Sequence, residues 1–137
     1  MANKSTIAKI FDDIINALDG IVERKFIFPG GRPDIKEADL EKMDKYIVIE
    51  LPVNIEDYAV GNHKFHLMTT GVLYLISKAK KNRTLNVNSF SDFTEEVTDK
   101  FPISGACITA VKPVVRMTGT DEFGYQITTV TFDVHTK

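Results

Sequence analysis

Few residues in this chain carry reactive groups at a spacing that chemistry requires. His63-x-x-His66 is the one close histidine pair. On an extended or irregular segment that spacing does not turn both rings toward one ion, and no cysteine or carboxylate cluster adjoins it, so no metal site is expected. Cys107 is the sole cysteine, which rules out an intrachain disulfide. No histidine or asparagine stands beside it in sequence to activate a thiolate, and its β-prone surroundings suit a packed thiol. Gly30-Gly31 lacks the Lys-Ser/Thr that follows a phosphate-cradling loop and reads as a turn. Glu95, Glu96 and Asp99 fall on the wet side of a helix, where carboxylates act as solvated surface. There is no nucleophile elbow, zincin motif or dinucleotide fingerprint. The residues therefore predict no enzyme, with no catalytic, metal or cofactor-binding set.

Charge is distributed more tellingly. Between 34 and 57 stand Asp34, Glu37, Asp39, Glu41, Asp44, Glu50, Glu56 and Asp57 against Lys36, Lys42 and Lys45. Between 63 and 83 stand Lys64, Lys78, Lys80, Lys81 and Arg83 with no acid. Opposite blocks on a small protein either pair internally, lie solvated, or meet head to tail between copies. The last reading nominates Lys78, Lys80, Lys81 and Arg83 on one side, and Asp39, Glu41, Asp44, Glu56 and Asp57 on the other, as a self-association set. The basic run has no interleaved aromatics and the chain carries a net charge of −2, so neither sequence-specific nucleic acid nor an anionic membrane is an expected partner.

The elements that position these groups follow from hydrophobic period. With 137 residues, 43% hydrophobic and 26% charged, the composition is that of one soluble domain with a real core. No stretch approaches the about 18 apolar residues of a membrane span, and the opening residues lack a secretory h-region. A reducing cytoplasm is the default compartment.

Ile7, Ile10, Phe11, Ile14, Ile15 and Leu18 form one helical stripe, with Ser5 or Thr6 as cap and Gly20 as terminator. Phe26-Ile27-Phe28 reads as a short extended piece before the loop at 29–33. Residues 46–51 read as a strand ended by Pro52. Residues 64–79 read as one long strand, central in a sheet, with a bulge at Gly71. Asn88 or Ser89 is the expected cap of a second helix carrying Phe90, Phe93, Val97 and Phe101, stopped by Pro102. Runs 106–118 and 125–135 read as a hairpin; Val130, Phe132 and Val134 alternate with Thr129, Thr131 and Asp133. Pro113 implies a bulge or a sheet edge in the first of these strands.

The expected fold class is therefore α+β in the order α-β-β-α-β-β. It has about four largely antiparallel strands with two amphipathic helices on one face. A single domain spans 1–137, with mobile loops near 29–45 and 53–62.

This layout resembles the tail terminator or tail-completion proteins of long-tailed bacteriophages. The resemblance rests on the amphipathic first helix, the Tyr-Ile-Val-Ile strand at 46–49, an acidic loop, a long apolar strand, a second helix and the closing hairpin. The Asp-x-x-Gly-Tyr turn at 121–125, followed by an alternating Val/Phe strand, carries most of it. The resemblance implies a non-enzymatic ring, commonly a hexamer. Such a ring caps the tail tube and offers a surface to the connector, in a virion assembled in the bacterial cytoplasm. Two other readings stand beside it. One is a small intracellular ligand-binding or regulatory domain that dimerises through its sheet and encloses a pocket between both helices and the sheet. The other is an enzyme of unrecognised type with perturbed carboxylates or histidines in one cleft.

Overall fold

The computed structural model describes residues 6–30, 44–51, 68–80, 84–106, 108–120 and 124–136. Its elements are α1 (Thr6–Leu18), a 3₁₀ turn (Arg24–Phe26), β1 (Ile27–Pro29), β2 (Lys45–Glu50) and β3 (Met68–Lys78). There follow α2 (Val87–Thr98), β4 (Ile103–Ser104), β5 (Ile108–Thr120) and β6 (Tyr125–Thr136). The described strands make one sheet of six, in the order β1-β2-β3-β6-β5-β4. β1 runs parallel to β2 and every other pair is antiparallel.

The expected fold class is corrected on three counts: strand number, sheet type and element order. The extra strands are β1 and β4, of three and two residues. Neither is long enough to show a period of two, and each abuts or contains a proline. Their place in the sheet is set by neighbours distant in the chain: Ile27 pairs with Ile47, and Ile103 with Ala110.

The core lies between the helices and one face of the sheet. Ile10, Ile14, Ile15 and Leu18 of α1 and Phe93 and Val97 of α2 are buried there. They share a cluster with Ile47, Ile49, Leu73, Leu75, Val130, Phe132 and Val134. The helical and strand periods thus meet as the sequence predicts. Two details differ. α2 is capped by Asn86, whose Oδ1 accepts from Ser89 N at 3.2 Å, rather than by Asn88 or Ser89. Its last helical residue is Thr98, so Phe101 lies beyond the helix, its ring 5.3 Å from that of Phe132.

A buried polar knot ties that cap to the sheet. Gln126 Oε1 accepts from Asn86 N at 2.8 Å, and Gln126 Nε2 donates to Asn86 O at 3.1 Å and to Ser77 Oγ at 2.9 Å. Gln126 and Ser77 are both buried, so each donor and acceptor here needs its partner.

Gly71 is not a bulge. The β3–β6 register runs unbroken through Gly71 opposite Phe132. A Cβ at Gly71 would overlap the Phe132 ring and come within 2.9 Å of Leu51 Cδ2. The glycine makes room for an aromatic ring rather than for a kink.

The bulge is instead in β5. Lys112 has φ +59 and, with Pro113, gives the strand an extra residue between the paired positions Val111 and Val114. A second irregularity at Met117/Gly119 leads into the hairpin loop.

Candidate self-association surface

Of the residues nominated from charge, Lys78, Lys80 and Asp44 are described; Asp39, Glu41, Glu56, Asp57, Lys81 and Arg83 lie outside the described residues, as do His63, His66 and Cys107. Of the loops expected near 29–45 and 53–62, residues 31–43 and 53–62 lie outside them as well. Lys78 and Asp44 meet within one subunit: Lys78 N donates to Asp44 O at 3.0 Å, and Nζ lies 3.5 Å from Oδ1. The strand end of β3 and the start of β2 thus bring one member of each block together. Lys80 N donates to Thr84 O at 3.0 Å, while its side chain is exposed and makes no ion pair among the described residues. Gly30, at φ +89, donates its N–H to Ile49 O at 2.7 Å and extends the pairing of β1 with β2 by one residue. Glu96 reaches Lys45 Nζ at 3.7 Å, and that ammonium sits 5.1 Å above the Phe93 ring. Glu95 and Asp99 are exposed on α2 and at its end.

The more distinctive surface is one that charge counting missed. β4 pairs with only Thr109 and Ala110 of β5, so from Val111 onward β5 has no outer neighbour among the described residues. Thr129 Oγ1 donates to the Arg116 carbonyl at 3.1 Å, and Thr131 Oγ1 lies 3.5 Å from the Val114 carbonyl. Those carbonyls therefore point at β6, and strand alternation turns the backbone groups of Val115 and Met117 to the open edge. Val114, Val115 and Met117 are the exposed large apolar side chains of this strand, Val114 at 61%. Proteins protect such edges or use them for association. Pro113 is the sequence signal that marks it.

The sheet face turned away from the helices carries a second cluster, with Tyr46, Val48, Ile76 and Tyr125 buried and Phe28, Tyr74 and Ile127 packed on them. Phe28 and Tyr125 both meet Tyr46 edge-to-face with centroids 5.9 Å apart. Val48, Glu50, Tyr74, Ile76 and Ile127 line a cavity of about 210 Å³ on this face. At its rim Tyr74 Oη donates to Glu50 Oε2 at 2.9 Å. That hydrogen bond, then burial, then the Glu50 charge hold the Tyr74 phenol above the ordinary tyrosine range. A larger cavity of about 430 Å³ sits where α1 ends, between Asp19–Glu23, Phe26, Asp44 and Lys45. Neither cavity is lined by α2.

No protein-family model matches the chain, and no curated protein matches it in sequence. Among solved structures, the fold is similar to a chain from the virion of a native gene transfer agent particle. The TM-score is 0.50 at 8% identity, over 94% of this chain and 92% of that one. At that identity the likeness is one of fold.

Proposed function

We propose that the chain is a non-enzymatic structural subunit of a phage-like particle. In this reading it closes into a ring at the end of a tail tube, ends tube growth and docks the connector, within a virion assembled in the host cytoplasm. The observation that carries the reading is the likeness of fold, over 94% of this chain, to a chain of a gene transfer agent virion. The open β5 edge with its exposed valines and methionine supports it, because such a strand is suited to a neighbouring copy.

The test is molar mass by light scattering across concentration and salt, with negative-stain imaging of the largest species. The expected result is one closed oligomer with a central opening that grows with concentration. A chain that stays monomeric at high concentration in low salt overturns the ring.

A further inference from the structure

Cross-strand register places two charges, without an ionic partner among the described residues, on the sheet face that the helices leave open. Val48, Tyr74, Thr129 and Arg116 form one row across β2, β3, β6 and β5; Glu50, Val72, Thr131 and Val114 form the next. Three strand spacings, about 14 Å, separate β2 from β5, and Glu50 and Arg116 do not pair within the subunit. Among the described residues the Glu50 carboxylate meets the Tyr74 phenol, and Arg116 makes no ion pair. Two residues before Arg116, on the same face of the strand, Val114 is exposed. Glu50 stands at the rim of an apolar cavity walled by Val48, Tyr74, Ile76 and Ile127. One side therefore offers a cation about 7 Å along a strand from an apolar knob, and the other an anion beside an apolar recess.

We propose that the occupant of this recess is a second copy of the chain. Val114 of one subunit enters the cavity of the next, and its Arg116 pairs with the Glu50 carboxylate there. The contact joins two different surfaces, as a ring requires. This inference rests on the ring reading and names its interface.

Sedimentation velocity over a concentration series tests it with Arg116→Glu, Glu50→Lys, their combination and Val114→Ser. Each side chain is exposed, and urea melts confirm that the variants fold. Each single charge reversal is expected to weaken assembly at least about tenfold at low salt, since it sets like charges face to face. The double reversal restores assembly to near the parent value, and Val114→Ser weakens it independently of salt. If the parent assembles and the single reversals assemble equally well, or the double is no better than either, this interface is wrong while the ring stands. If the parent never assembles, the ring reading falls and the interface with it.

Discussion

Phe132 on β6 lies opposite Gly71 on β3, and its ring fills the space that a side chain at Gly71 would need. The two residues act as one packing unit at the centre of the sheet. Gly71→Ala is expected to destabilise the fold by about 1–3 kcal/mol, the usual cost of overpacking a filled core. Phe132→Ala opens the opposite defect and is expected to cost about 3–5 kcal/mol. If the two act as a unit, adding Phe132→Leu to Gly71→Ala recovers part of the loss. Urea denaturation midpoints on the four proteins read this directly.

Gln126 holds both backbone groups of Asn86 and the Ser77 hydroxyl. Gln126→Leu keeps the volume but leaves those groups unmatched, and is expected to cost about 1–3 kcal/mol. Because Asn86 also caps α2, the loss should show first in amides at the start of that helix. Hydrogen exchange that stays unchanged there would remove the link between cap and sheet.

Tyr74 gives a pH signature. Its phenol is held above the ordinary value of about 10, so in alkali the unfolded chain loses this proton before the folded one does. The folded state then binds more protons, and stability falls as pH rises from the unfolded value through the folded one. Below the unfolded value the contribution is complete. Tyr74→Phe should therefore flatten the fall in urea midpoint above about pH 10 while leaving the neutral-pH slope unchanged. A parent and variant with parallel alkaline profiles would count against the Tyr74–Glu50 hydrogen bond.

Of the charge blocks, Lys78 and Asp44 pair with each other. The Lys78–Asp44 pair is solvent-exposed, with Asp44 at 90%, so Asp44→Asn is expected to change stability by less than about 1 kcal/mol. Reversing Lys80 and Lys81 to Glu, in contrast, is expected to weaken assembly at low salt and to lose that effect as salt rises. An oligomer distribution untouched by that double reversal at low salt would make the basic run solvated surface.

What could be read from the sequence was whatever repeats within a few residues. The stripe through Ile10, Ile14 and Leu18, the Phe93/Val97 spacing and the alternation at Val130, Phe132 and Val134 each declare a buried face on their own. Features whose cause lies far along the chain were not legible in that way. Gly71 looks locally like a break, yet its reason is Phe132. Asn86, Asn88 and Ser89 are all competent caps, and the geometry that selects Asn86 includes Gln126. β1 and β4 are too short for any period and exist because β2 and β5 offer them a partner. The candidate surface divides the same way: clustered charges were visible, Glu50 among them, whereas its relation to Arg116, a single charge in another strand, comes only from register.

The strand order has a consequence for synthesis. β6 is made after the other five described strands, yet it sits between β3 and β5 near the middle of the sheet. When α2 has been made, Leu73 and Leu75 still lack the β6 residues, Val130 and Thr128, that lie opposite them in the finished sheet. The core then closes late and cooperatively, which slows folding and keeps apolar strands uncovered while the ribosome works. Until β6 arrives, the waiting edge of β3 invites the wrong partner, so a chaperone that shields it should raise the yield of folded protein.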